Sequence, residues 1–125
     1  MFKETKAFSG FSVDNLQKAK EFYGDVLKID LSEMEEMGLL QLHIAGSNDL
    51  IIYEKPNHAP ATFTVLNFPV PDIDQAVKDL KALGVEFESY DFPELKTDAD
   101  NISRGEPSIA WFTDPAGNIL SVIQE

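Results

Sequence analysis

The sequence predicts an α+β fold: two tandem βαβββ modules with mixed and antiparallel sheets, residues 1–54 and 62–125, joined by a linker over 55–61. Three observations lead there. Apolar residues alternate with a period of two in several short runs, and recur at helical spacing in two longer ones. The pattern then restarts. Val13-Asp14-Asn15-Leu16-Gln17-Lys18-Ala19 lies over Val70-Pro71-Asp72-Ile73-Asp74-Gln75-Ala76, each at a strand-to-helix junction. Finally, two strand-like runs between Trp111 and Gln124 flank Asp114-Pro115-Ala116-Gly117-Asn118. Pro115 presets φ for the turn and Gly117 can take φ > 0, so the segment reads as a hairpin. A module with a single helix covers only one face of its sheet. The other faces must meet or enclose something.

Lys6 to Val13 reads as the first strand, with Phe8, Gly10 and Ser12 on one face and Phe11 and Val13 on the other. Asp14 or Asn15 caps the first helix, and Asp14 to Gln17 has the form of a capping box. The helix runs to about Lys28, with Leu16, Ala19, Phe22, Tyr23, Val26 and Leu27 as its apolar stripe. Ile29 to Glu36 is an acidic edge strand. Leu39 to Ala45 is a strand that puts Gln41 and His43 on one face, and Leu50 to Glu54 follows a turn at 46–49.

Pro56 and Pro60 mark the linker. Thr62 to Val70 is a strand, and Asp72 to Gln75 a second capping box. Ile73, Ala76, Val77, Leu80 and Leu83 line a second helix, which Gly84 ends. Val85 to Phe92 is a strand. Pro93 to Pro107 is a polar loop long enough to serve as a lid or an entrance. Ser108 to Thr113 and Asn118 to Gln124 complete the second sheet.

Composition narrows the function classes. Hydrophobic residues make up 43% of 125, enough for a core and too many for a disordered chain. The absence of cysteine excludes disulfides, thiolate metal sites and cysteine nucleophiles. No apolar run reaches the length of a membrane span, and Met1 to Lys6 lacks the apolar core of a signal peptide. The expectation is a cytoplasmic protein with no membrane partner. The net charge of −12, without any Lys/Arg cluster, argues against nucleic acid. An acidic surface first serves solubility, and it also attracts cations. There is no glycine-rich phosphate loop and no nucleophile elbow, and no Ser/His/Asp set follows from sequence order. No catalytic residue is assigned.

The order of motifs resembles the vicinal oxygen chelate superfamily, which includes glyoxalase I, extradiol dioxygenases and bleomycin-resistance proteins. The resemblance covers nearly the whole chain. It rests on Phe8-Ser9-Gly10-Phe11-Ser12-Val13-Asp14-Asn15-Leu16, on Phe22-Tyr23 with Val26-Leu27, on the restart at Val70, and on Asp114-Pro115-Ala116-Gly117-Asn118-Ile119. It implies sheets that curl into a cup holding the ligand site, and a homodimer. Metal-dependent members place His or Glu at four inward positions, because a divalent ion needs imidazole and carboxylate donors. In this sequence those positions fall on Phe8, Ile51, Val65 and Ser121. None is a competent ligand, so no metal or other cofactor is expected.

Three readings follow. The first is a metal-independent protein that binds an amphipathic or aromatic small molecule in the cup. Phe8, Ile51, Tyr53, Phe63, Val65 and Trp111 would form apolar walls, with His43, Asn67 and Ser121 as polar points. The second is a glyoxalase-type lyase with a displaced metal site, drawing on His43, Glu54 and Tyr53. The third is an interaction or regulatory module whose cup is filled by its own side chains. His58, Asp98, Asp100 and Glu106 are expected to be solvated.

Overall fold

The computed structural model describes every residue from Met1 to Glu125. The chain divides into two compact units, Met1–Pro60 and Ala61–Glu125.

In the first unit the order is β1 (Gly10–Val13), α1 (Leu16–Lys20), β2 (Leu31–Met34), β3 (Leu39–Leu42) and β4 (Leu50–Glu54). The sheet runs β1-β4-β3-β2, with β1 parallel to β4 and the other pairs antiparallel. Asn15 caps α1, its side chain accepting from Lys18 N at 3.0 Å. The box expected from Asp14 is one residue out of frame: position N3 is lysine, which cannot reach back as glutamate does. The helix is not α-helical to Lys28. From Glu21 to Val26 it widens into a π-helical turn, with Leu27 N donating to Phe22 O at 2.9 Å. Lys28, at φ 60°, ends it. Phe22 and Tyr23 both enter the core, edge to face at 5.1 Å.

Alternation along the strands sorts the two faces. Val13, Leu40, Leu42, Leu50 and Ile52 are buried together with Ala19, Phe22 and Tyr23. Gly10, Ser12, Leu39, Gln41, Ile51 and Tyr53 lie on the opposite, open face. Several boundaries differ from expectation. β1 begins at Gly10, which leaves Phe8 before the strand. β2 stops at Met34, where Glu35–Met37 form a 3-10 turn closed by Gly38 at φ 64°. β3 ends at Leu42, so His43 lies just beyond it. His43 N still donates to Asp30 O, so the pairing decays rather than stops.

The second unit contains β5 (Thr64–Pro69), α2 (Ile73–Ala82), a small ladder of β6 (Asp91–Phe92) with β7 (Leu95–Lys96), β8 (Ser108–Thr113) and β9 (Ile119–Gln124). Its main sheet runs β5-β9-β8, with β5 parallel and β8 antiparallel to β9. The strand expected over 85–92 shrinks to one bridge, Phe87 against Phe112. That bridge occupies the edge position that β2 holds in the first unit. Asp72 caps α2 by accepting from Gln75 N, but Gln75 turns its amide to Asp79, so only half of the capping box forms. Leu83 leaves the apolar stripe at 55% exposure, because the helix has already ended there. α2 packs on β8 and β9, and Ala110, Phe112, Leu120 and Val122 are buried with Ile73 and Val77.

The 93–107 segment is not a free lid. Ile102 is buried, Ser103 bridges Ile109, and Asp98 accepts from the amides of Asp100 and Ile102. Arg104 ties the segment to α2, with a two-pronged pair to Asp74 at 2.7 and 2.9 Å and a bond to Asp98 at 2.9 Å. The guanidinium holds both carboxyls below the usual carboxylate range, most directly through these hydrogen bonds. The β8–β9 hairpin forms as expected: Asp114 accepts from the amides of Ala116 and Asn118, and Gly117 sits at φ 84°.

The internal repeat reaches the level of single hydrogen bonds. Leu16 N, at the start of α1, donates to Glu54 Oε1 at 2.9 Å. Ile73 N, at the start of α2, donates to Gln124 Oε1 at 2.8 Å. Each helix is therefore capped by the last residue of the strand parallel to the one that precedes it.

Candidate functional site

The twin caps fix the equivalence of the two units. If Glu54 matches Gln124, then Ile51 matches Ser121, and Gly10 matches Asn67. The register agrees: Gly10 pairs with Ile51, and Asn67 with Ser121.

In the first unit, Phe8 and Ile51 line one groove of about 520 Å³ on the open face. Met34, Met37 and Leu39 complete its apolar wall, and Lys6, Gln41, Asn48 and Asp49 supply its polar atoms. Two local features build it. The 3-10 turn after β2 swings Met37 outward, where it is 67% exposed. Asn48 fastens the β3–β4 connection to the segment before β1 by donating from Nδ2 to Ala7 O at 2.6 Å. Phe8, 68% exposed, stands in that segment.

A hydrogen-bonded chain runs along one side. Gln41 Nε2 donates to Asp49 Oδ2 at 2.8 Å, His43 Nδ1 lies 3.1 Å from the same oxygen, and His43 Nε2 is 2.9 Å from Ser32 Oγ. His43 thus stands beside the groove through Asp49 and does not form its wall. Tyr53 is on the same sheet face, two residues beyond Ile51, and is outside the groove lining.

The second unit treats its expected residues differently. Ser121 is fully buried, and its hydroxyl donates to Asn67 Oδ1 at 2.5 Å. Trp111 pairs with Ser121 in register and meets Tyr90 edge to face at 5.4 Å. Tyr90's hydroxyl is pushed above its ordinary range by burial and by the nearby Glu88 charge. Val65 is the extra residue of a β-bulge between Thr64 and Leu66, and so has no register partner on β9. Phe63 precedes β5 and is exposed.

A divalent ion does not suit these residues. The four mapped positions offer one hydroxyl, already bonded, and no imidazole or carboxylate. No three His, Asp or Glu side chains converge anywhere in the structure. Glu54, a possible displaced donor, is engaged at the α1 N-terminus. His58, expected to be solvated in the linker, is instead half-buried, with Nδ1 2.7 Å from Ser12 Oγ.

The model of the glyoxalase/bleomycin resistance protein/dioxygenase superfamily matches residues 8–122. The chain belongs to that superfamily. Solved structures agree in fold across nearly all of the superfamily member described here. One, a member of the same superfamily from Sphaerobacter thermophilus, has a TM-score of 0.70 at 19% identity, with all of both chains covered. An antibiotic binding protein from a Streptomyces species has a TM-score of 0.67 at 23% identity, covering 99% of this chain and 98% of its own. The fosfomycin resistance protein FosX from Listeria monocytogenes has a TM-score of 0.71 at 18% identity, covering 95% and 91%. A comparison with curated proteins finds no match. No helix is long and apolar enough to cross a membrane.

Met34, Met37 and Asp49 were not legible as site residues. The methionines reach the groove only through the 3-10 turn, and Asp49 only through the β3–β4 connection. Gln41 carried a signal, since its position in the alternation puts it on the face of Ile51.

Proposed function

We propose that this superfamily member binds an amphipathic or aromatic small molecule without a metal ion, on the open face of the first unit's sheet. The groove carries the reading. It offers about 520 Å³ within apolar walls, with a few polar atoms at one side, the usual form of a small-molecule site. An antibiotic binding protein among the structures of similar fold is in keeping with this.

The test uses untagged, dialysed protein. Elemental analysis should find no stoichiometric divalent metal; one retained per chain would falsify metal independence. Equilibrium dialysis with neutral 1-naphthalenemethanol should show binding that Ile51→Gln weakens about tenfold, the value of one buried aliphatic contact. Equal binding by the two proteins removes the groove from the reading.

A further inference from the structure

The groove has an apolar wall and a charged side, and we propose that it selects organic cations: an ammonium group carried on an aromatic or aliphatic body, with Asp49 as counter-charge. This rests on the small-molecule reading above and adds the charge of the ligand.

Asp49 lines the groove beside Gln41 and Asn48. Its Oδ2 is held from two directions, by Gln41 Nε2 at 2.8 Å and by His43 Nδ1 at 3.1 Å. Ser32 Oγ in turn fixes the far nitrogen of His43. Oδ1 takes part in none of these bonds. A carboxylate oriented through one oxygen, with the other open, is a preorganised acceptor for a charged donor. Gln41 satisfies Oδ2 without cancelling the charge, and so does His43 when its imidazole is neutral.

The surroundings favour a cation. Lys6 is the one cationic side chain in the lining, and it forms no ion pair with Asp49. The walls of Phe8, Met34 and Met37 are polarisable, and aromatic faces attract ammonium groups. The net charge of −12 raises the local concentration of cations and lowers that of anions. Asp49 is partly exposed, so its preference is expected to be about fivefold.

Matched probes test this at low salt and pH 8, where an ordinary imidazole is neutral. Equilibrium dialysis compares 1-naphthylmethylammonium with 1-naphthalenemethanol, which differ in the charged group on one aromatic body. Wild-type protein should bind the ammonium about fivefold more tightly. Asp49→Asn should bring that ratio to about one while alcohol binding stays within about twofold, because the neutral amide lacks the charge that favours ammonium. Lys6→Gln should widen the ratio. Equal wild-type affinities, or a preference that survives Asp49→Asn, overturn the cation proposal and leave the groove reading standing. If neither probe binds wild-type protein, or Ile51→Gln weakens neither, the groove reading falls and this proposal with it.

Discussion

The twin helix caps make a quantitative prediction. Removing the acceptor at Glu54 or Gln124 should destabilise the protein by the cost of an uncapped helix start, about 0.5–2 kcal/mol. The two sites should differ. The Leu16 N–H bond is exposed, so water replaces Glu54 in an alanine variant, and the low end applies. The Ile73 N–H bond is part-buried, so Gln124→Ala leaves a donor poorly solvated, and the high end applies. With unfolding entropy of roughly 2 cal/mol/K per residue, 1 kcal/mol shifts the melt of this chain by about 4 °C. Glu54→Ala should therefore melt about 2–4 °C lower, and Gln124→Ala about 4–8 °C lower, by differential scanning calorimetry. Isosteric exchange separates acceptor from charge. Glu54→Gln keeps the hydrogen bond and loses only the attraction to the helix dipole, about 0.3–1 kcal/mol. Gln124→Glu should gain a similar amount. Alanine variants melting within about 1 °C of wild type would refute the capping argument, given that even the weakest cap is worth about 0.5 kcal/mol. A Glu54→Gln loss equal to that of Glu54→Ala would show that charge, and not the acceptor, matters there.

Other predictions test the packing and the turns. Ile52→Ala should cost about 2–5 kcal/mol by leaving a core cavity, and neighbouring Ile51→Ala much less, since it faces the groove; denaturant midpoints compare them. Gly117→Ala should cost about 1–2 kcal/mol, because φ 84° is strained for a residue with Cβ, again read from the midpoint. Arg104→Met should loosen the 98–104 segment, seen as faster amide exchange at Ile102. The Arg104 clamp also has a defined pH dependence. Asp74 and Asp98 have folded-state pKa values below their unfolded ones. Their contribution is complete above the ordinary carboxylate range and is lost as pH falls through the lowered values. The melting difference between wild type and Arg104→Met should be present at pH 7 and vanish in strong acid. A constant difference would show that Arg104 acts by packing alone.

Much of the fold was legible because alternation and turn chemistry are local signals. Asp72, Asn15, Gly84 and Gly117 act where their side chains or φ angles require. The errors have physical causes. The strand expected over 85–92 was read from β-branched and aromatic content, yet the structure supplies a single bridge and a separate small ladder. The 93–107 loop looked like a lid because Ile102 and Arg104 act through distant partners that no local pattern reveals. The groove was half legible: Phe8 and Ile51 came from the family's inward positions, whereas Met37 and Asp49 depend on how two turns bring the chain back. Glu54 illustrates the limit of reading chemistry from residue type. A carboxylate at a strand end suits a metal or a helix start equally until its partner is known.

The π-helical turn at Glu21–Val26 has a consequence for how this chain tolerates changes in length. A turn closed by bonds five residues apart holds one residue more than an α-helix needs. That surplus rotates everything after it by about 100° relative to α1, because each helical residue turns the chain by that angle. Asp25, exposed within the turn, is the residue whose excision would let the spiral tighten into a regular α-helix without lengthening the path to β2. The first unit thus carries one removable residue at a known address, which makes it a place where a family of such chains can differ in length by one while keeping both faces of its sheet in register.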